Sequence, residues 1–141
     1  MAQEFVLAAS ASRTTTAGTN GSAVSLPAFW KRLAVVLDVT ASGVDNGDTL
    51  SVYVDFSLDG VRWFNAARFA TQAGDGAAKT EIAIFDPSSP AATTFAITSD
   101  CVAGVTKPYL FGKYARYRYV IVDGAGGGVP AHTFSVKAYS Q

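Results

Sequence analysis

The chain has 141 residues, of which 49% are hydrophobic, 12% aromatic and only 16% charged, and its eleven basic and eleven acidic residues give a net charge of +0. This length is typical of one domain with a sizeable core, and a net charge near zero favours association between copies over repulsion. The balance of charges argues against a nucleic-acid partner, because phosphate binding draws on an excess of Lys and Arg.

The amino-terminal segment "MAQEFVLAASASRTTT" has no basic start, and Glu4 interrupts its short apolar run. We therefore expect no signal peptide and a chain that is made and kept in the cytoplasm. We also expect no transmembrane helix, since no apolar run reaches about 18 residues. The single Cys101 cannot form an internal disulfide, and one thiol cannot build a zinc site.

Residues 10–22, "SASRTTTAGTNGS", are small and polar, with too little apolar area to offset the entropy of ordering them. The sequence therefore predicts an extended arm over residues 1–22, followed by a single β-sandwich domain over 23–141. Within the arm, "EFVLAAS" is a candidate strand that docks either on this domain or on a neighbouring subunit.

The first strong strand signal is "RLAVVLDVTA" at 32–41, which places Leu33, Val35, Leu37 and Val39 on one face. The next strand is predicted at 50–58, where inward and outward residues alternate. The inward set is Leu50, Val52, Val54, Phe56 and Leu58, and the outward set is Ser51, Tyr53, Asp55 and Ser57. Asp59 and Gly60 follow, and this dipeptide predicts a two-residue hairpin turn in which both residues have positive φ.

Shorter strands are predicted at 80–85 and 93–98, within a region rich in Gly, Ala, Ser, Thr and Pro. Two further alternating runs, at 113–122 and 132–139, are joined by the "DGAGGGVP" turn. Paired hairpins without helical periodicity favour an all-β fold, namely an antiparallel β-sandwich or jelly-roll-like barrel of seven to nine strands.

Candidates for catalysis and metal binding are few. His132, the only histidine, lies in a predicted strand without a marked nucleophile nearby, so we interpret it as structural. The "DNGD" loop at 45–48 has oxygen ligands that suit calcium, but it lacks the spacing of an EF-hand and is interpreted as a turn. The "GAGGG" run at 124–128 is interpreted as a hairpin tip, since no phosphate-binding motif follows it.

Asp38 and Asp55 are a candidate carboxylate pair for glycoside hydrolysis, but both are predicted to be solvated on the polar faces of neighbouring strands. Arg116 and Arg118 alternate with tyrosines, a pattern that single-stranded nucleic acid can stack on. Because the net charge is zero, we expect salt bridges across the sheet or to a partner instead. Several aromatic residues, Trp63 among them, suit either sugar stacking or a protein interface, and we favour the interface.

Three segments carry a resemblance to a known group of proteins: "AVSLPAFWKRLAVVLDVTASG", "DTLSVYVDFSLDGVRWFNAARF" and "YARYRYVIVDGAGGGVPAHTFSVKAY". With the preceding "RT" arm, they resemble small virion proteins of tailed bacteriophages, in particular capsid decoration, or cement, proteins. The resemblance covers most of residues 13–139, but 70–108 matches no pattern of the group. Its motifs mark strands and turns, not a reactive site.

The resemblance implies a virion structural protein without enzymatic activity or cofactor. Such a protein binds the major capsid protein on the capsid exterior, where capsomers meet, and self-associates as a homotrimer; no nucleic acid, membrane or small-molecule substrate is implied. A tail or neck component and a carbohydrate-binding module remain alternatives, and so does a hydrolase that uses His132. The candidate interface residues are Phe5, Arg13, Phe29, Trp30, Tyr109, Phe111, Arg116 and Arg118.

Overall fold

A computed structural model describes residues 2–14, 18–43, 47–74, 76–88, 100–124, 126 and 128–141. The described residues form eleven strands in two antiparallel sheets. The strands are β1 (Gln3–Arg13), β2 (Thr19–Asn20), β3 (Val24–Ser25), β4 (Leu33–Ala41), β5 (Thr49–Ser57), β6 (Phe64–Arg68), β7 (Gln72–Ala73), β8 (Lys79–Phe85), β9 (Val105–Thr106), β10 (Tyr114–Val122) and β11 (His132–Ser140). Within these residues, no helix has the length and apolar character needed to cross a membrane.

The four-stranded sheet has the order β1-β11-β4-β8, so β1 and β8 are its edges. β4 forms the centre of the apolar layer, because its side chains alternate between buried and half-buried positions along Leu33–Val39. β11 alternates in the same way beside it, with Phe134, Val136 and Ala138 fully buried. This period-two pattern is the one that the sequence predicts for 32–41 and 132–139.

The seven-stranded sheet is built on the pairing of β5 with β10, which runs from Tyr114 opposite Ser57 to Val122 opposite Thr49. β6 and β7 pair with the other side of β5, and β9 extends the sheet beyond β6. β2 and β3 both pair with the free side of β10. The long strands β5 and β10 therefore form the centre of this sheet.

The core lies between the two sheets and contains the inward side chains of β4, β5, β10 and β11. Phe56, Phe85 and Phe134 are its largest fully buried side chains. Burial of apolar side chains from both sheets is the main stabilising contribution in such a fold. The all-β, sandwich-like prediction is confirmed, although the described residues contain eleven strands where seven to nine were expected.

The first part of the amino-terminal segment, predicted as an extended arm with a candidate strand, lies against the domain. β1 extends to Arg13 and pairs with β11 of its own chain, so the candidate strand docks on this domain. Residues 19–20 then pair with β10 in the opposite sheet. Backbone hydrogen bonding to long, well-packed strands orders these polar residues in spite of their low apolar area.

The predicted two-residue turn at Asp59 and Gly60 is wrong, because six residues, 58–63, separate β5 from β6. Gly60 has a φ of 78°, but Asp59 does not have a positive φ. Instead, the Asp59 Oδ1 atom accepts hydrogen bonds of 2.8 Å from the backbone N–H groups of Val61 and Arg62. This side-chain capping, which also lowers the pKa of the Asp59 carboxyl group, stabilises a wider loop.

Two further expectations for 50–58 are corrected. Leu58, expected to point inward, is 55% exposed because the strand ends at Ser57. The outward residues of β5 are buried rather than solvated, and Asp55 is only 3% exposed. The strand predicted at 93–98 lies outside the described residues.

Candidate functional site

An apolar groove of about 440 Å³ lies at the end of the sandwich where β5 and β8 finish and β4 and β10 begin. Four connecting segments between strands contribute its walls. We call this surface the apolar groove, and its lining residues are Leu26, Pro27, Ala28, Phe29, Trp30, Leu58, Pro87, Phe111, Gly112 and Lys113.

The segment from Leu26 to Arg32, which forms one wall of the apolar groove, is fixed at both ends by backbone hydrogen bonds. At its start, the Leu26 N–H donates to the carbonyl oxygen of Lys113 at 2.9 Å. At its end, the N–H groups of Lys31 and Arg32 donate to the carbonyl oxygen of Gln141 at 2.8 and 3.1 Å. The wall is therefore a preorganised loop, which lowers the entropic cost of binding a partner.

Trp30 joins this wall to the core. Its indole Nε1–H donates to the carbonyl oxygen of Gly112 at 3.1 Å, and its ring centroid lies 6.1 Å from that of Phe56. Gly112 permits this close approach, because a Cβ atom there would lie 2.8 Å from the Phe56 Cβ and 3.0 Å from the Tyr114 carbonyl oxygen. The floor of the apolar groove is thus continuous with the core.

Phe29 lies at the tip of the loop, with 98% of its surface exposed and a φ of 68°. The left-handed region costs a residue with a side chain about 1–2 kcal/mol, and a bulky aromatic residue is rare there. Exposure of a large apolar ring is a second unfavourable term. Strain of this kind persists where the surrounding structure enforces it, and it is concentrated at functional sites.

Two other large apolar side chains of the apolar groove are exposed, Leu58 at 55% and Phe111 at 57%. Together with Phe29 and Trp30 they form a contiguous apolar surface, which in soluble proteins marks an interaction site. Three of the predicted interface residues, Phe29, Trp30 and Phe111, meet here. Leu58 was not predicted to lie here, because the period-two alternation of 50–58 places that side chain in the core.

The remaining predicted interface residues lie elsewhere. Tyr109 is half-buried in the loop before β10, and Phe5 is half-buried against the core. Arg13 turns back onto its own chain: its guanidinium donates to the carbonyl oxygen of Phe134 at 2.7 Å and lies 4.2 Å from the Phe134 ring centroid. Arg13 therefore closes the end of β1 against the sheet.

Arg116 and Arg118 lie on the outer face of the seven-stranded sheet, over the buried carboxylate of Asp55. The Nε atoms of Arg116 and Arg118 lie 3.3 and 3.2 Å from the Asp55 Oδ2 atom. Asn65 Nδ2 donates to Oδ1 at 3.0 Å, and Arg118 also pairs with Asp100 at 2.7 Å. The expected salt bridges across the sheet are present, whereas the expected solvation of Asp55 is wrong.

The same two arginines cover aromatic rings on this surface. The guanidinium carbon of Arg116 lies 4.4 Å from the Trp63 ring centroid, and that of Arg118 lies 4.0 Å from the Tyr53 ring centroid. Cation–π contacts of this kind occupy the ring faces that a sugar would stack on. We call this surface the arginine face; its members are Tyr53, Asp55, Trp63, Arg116 and Arg118.

The pairing of Asp38 with Asp55 that hydrolysis would need is contradicted by the topology. Asp38 lies on β4 of the four-stranded sheet, whereas Asp55 lies on β5 of the other sheet. Asp38 accepts a 3.0 Å hydrogen bond from the Thr80 hydroxyl on the outer face of its own sheet. The two carboxylates do not share a cleft.

His132 and Asp48 are buried together at the end of the sandwich opposite the apolar groove. His132 is 0% exposed, and among the described residues its two ring nitrogens have no hydrogen-bond partner. Burial lowers the pKa of His132, while the charge of Asp48 acts in the opposite direction. The Asp48 Oδ1 atom accepts from the Gly124 N–H at 2.7 Å, so Asp48 ties the loop before β5 to the loop after β10.

In the part of the chain that the structure describes, no three His, Cys, Asp or Glu side chains form a group able to hold a metal ion. Of the "DNGD" loop, residues 45 and 46 lie outside the described residues. Cys101 is buried, and burial raises the pKa of its thiol, so the reactive thiolate form is disfavoured.

The fold and these surfaces define an all-β protein of two antiparallel sheets, with an apolar groove at one end and, on one side, an arginine face whose arginines pair with Asp55 and Asp100. Comparisons with protein-family models, with curated proteins and with solved structures give no match to this chain.

Proposed function

We propose that this chain is a non-enzymatic structural protein of a tailed-phage virion, which binds the outer surface of the capsid at capsomer junctions and stabilises the shell. The observation that carries the proposal is Phe29, a 98% exposed aromatic side chain on a strained loop that is fixed at both ends. Hot spots of protein interfaces are aromatic anchors of this kind, surrounded by apolar contacts that exclude water. The resemblance of the strand and hairpin motifs to decoration proteins supports the choice of a capsid as the partner.

Stabilisation follows from mass action. A protein that binds only the assembled lattice lowers the free energy of that lattice by an amount that grows with its concentration relative to Kd. Repetition over many equivalent sites multiplies a modest interface energy. A chain with net charge +0 and an exposed apolar groove suits such close-packed, repeated contacts. Self-association as a homotrimer belongs to the same proposal, and light scattering of the purified chain measures it.

Co-sedimentation with purified capsids tests the proposal. We expect Phe29→Gly to weaken capsid binding by about 30-fold or more, as removal of a hot-spot residue does. Val129→Ala is the matched control, since Val129 is also exposed (66%) but lies in the turn at the opposite end of the sandwich. Wild-type protein that fails to sediment with capsids would contradict the proposal.

A tail or neck component is the alternative location for the same kind of surface. Electron microscopy of virions labelled through this chain distinguishes the two, because the label decorates either the head or the tail. Sugar binding is less well supported, since Arg116 covers the Trp63 ring. The Trp30 indole N–H already donates a hydrogen bond to the carbonyl oxygen of Gly112.

A further inference from the structure

The apolar groove continues into a second, more polar cleft. The two share Trp30 and Pro87, and the second cleft adds Lys31, Arg32 and Asp86 to the lining. A partner segment that is longer than the apolar groove would therefore lie against the charged side chains of the second cleft. The charges in that cleft determine which flanking residues the partner segment can carry.

The combined lining contains more basic than acidic side chains, although the whole chain contains equal numbers of both. Lys31, Arg32 and Lys113 contribute three positive charges, and Asp86 contributes the only carboxylate side chain. Arg32 is neutralised by Asp86, whose Oδ2 atom lies 3.2 Å from the Arg32 Nε. Lys31 and Lys113 are exposed, and neither takes part in a salt bridge with a described residue. Two positive charges thus flank the apolar groove.

We propose that the apolar groove binds an acidic segment of a partner protein, with an apolar side chain against Phe29 and a carboxylate beside Lys113 or Lys31. This inference rests on the docking role proposed above and specifies the chemistry of the partner. Complementary charge at an interface rim selects the partner and accelerates association, while the apolar centre supplies most of the affinity.

A second copy of the chain fits this surface less well than an acidic partner. Two-fold packing of one apolar groove on another would place the Lys31 and Lys113 pairs of both copies in the same contact, and like charges brought together are unfavourable. Nucleic acid fits less well again, because two lysines beside a Phe29-centred apolar wall neutralise few phosphates.

Two fluorescently labelled, end-blocked peptides test the proposal. Both contain the same Leu-Phe pair, flanked by glutamate in one peptide and by glutamine in the other. By fluorescence anisotropy at low salt, we expect the glutamate peptide to bind tighter by about two- to five-fold per lysine engaged. The difference should shrink at about 0.15 M ionic strength, because exposed charges are screened there.

Three variants locate the binding. Phe29→Gly should abolish binding of both peptides, whereas a Lys31→Ser, Lys113→Ser double variant should remove only the preference for glutamate. Lys79→Ser is the matched control, since Lys79 is an exposed lysine on β8 paired with Glu81, and it should change neither peptide. Failure of both peptides to bind, or equal binding of the two, would overturn the proposal.

The outcome is separable from that of the capsid experiment. If capsids bind the wild type and the double lysine variant equally but not Phe29→Gly, the docking role stands and the acidic partner is wrong. If the glutamate peptide binds at the apolar groove while capsids do not, the partner chemistry stands and the capsid role is wrong. Dissociation of a wild-type oligomer by Phe29→Gly would instead assign the apolar groove to a second copy and overturn the inference.

Discussion

The apolar groove and the arginine face both contain large aromatic side chains, but these side chains find their contacts in different places. On the arginine face, Arg116 and Arg118 both bond the Asp55 carboxylate and cover the neighbouring aromatic rings. In the apolar groove, Phe29 and Phe111 remain exposed. Aromatic and arginine residues are typical of protein interfaces. The contrast between the two surfaces shows that such residues indicate an interface only where no other side chain of the same chain covers them.

The two surfaces also differ in what holds them in place. The arginine face depends on charge pairing over a buried carboxylate, so loss of Asp55 removes the carboxylate with which Arg116 pairs and leaves Arg118 with Asp100 only. The apolar groove depends on backbone hydrogen bonds to Gln141 and Lys113, which do not involve the exposed side chains. Substitution should therefore damage folding at the arginine face and binding at the apolar groove.

The largest expected effect on stability is that of Asp55→Ala. It leaves Arg116, Arg118 and Asn65 without their shared acceptor, and breaking a buried pair in this way costs about 3 kcal/mol or more. Urea unfolding measures the loss. Asp38→Ala is the control on the other sheet, where a single exposed hydrogen bond from Thr80 predicts a loss below about 1 kcal/mol. Equal losses for the two variants would show that the arginine face is not a structural unit.

His132 differs from Asp55 because it is a buried polar side chain without a hydrogen-bond partner among the described residues. Its pKa is lowered in the folded chain by burial, so the unfolded chain binds the proton more tightly. The corresponding stability is therefore present above the unfolded value of about 6.5, and it is lost as the pH falls from there toward the folded pKa. The loss amounts to about 1.4 kcal/mol for each unit by which the pKa is lowered.

Unfolding free energies measured between about pH 7 and pH 5, above the range in which carboxylates titrate, test this expectation. The wild type should lose stability over the interval, and His132→Phe should remove that dependence whatever its absolute stability. An identical pH dependence in the variant would mean that another group is responsible. His132 would then not contribute to the pH dependence of stability, in spite of its burial.

The two sheets and the two surfaces differ in how much of their structure could be predicted from the sequence. The alternation in β4, β10 and β11 is local, so the inward faces could be predicted from period two alone. Burial of Asp55 depends on Arg116 and Arg118, about sixty positions later in the chain, and no local pattern encodes it. The aromatics of "PAFWK" were predicted as interface residues, but their meeting with Leu58 and Phe111 depends on the sheet topology.

The smallest expected effect on stability is that of Phe29→Gly, the variant expected to have the largest effect on binding. Glycine removes the cost of placing a side chain at φ 68°, which raises the free energy of unfolding by about 1–2 kcal/mol. Its greater freedom in the unfolded chain lowers the free energy of unfolding by about 0.5–1 kcal/mol. We therefore expect the free energy of unfolding to change by at most about 1.5 kcal/mol, in the stabilising direction.

Phe29→Ala separates strain from contact, because alanine keeps the Cβ atom that the left-handed conformation disfavours. We expect Phe29→Ala to be less stable than Phe29→Gly in urea unfolding, and both to lose capsid and peptide binding. A Phe29→Gly variant that unfolds much more easily than the wild type would mean that the ring packs on its own chain. Phe29 would then be a residue that stabilises the fold, as Arg116 and Arg118 do.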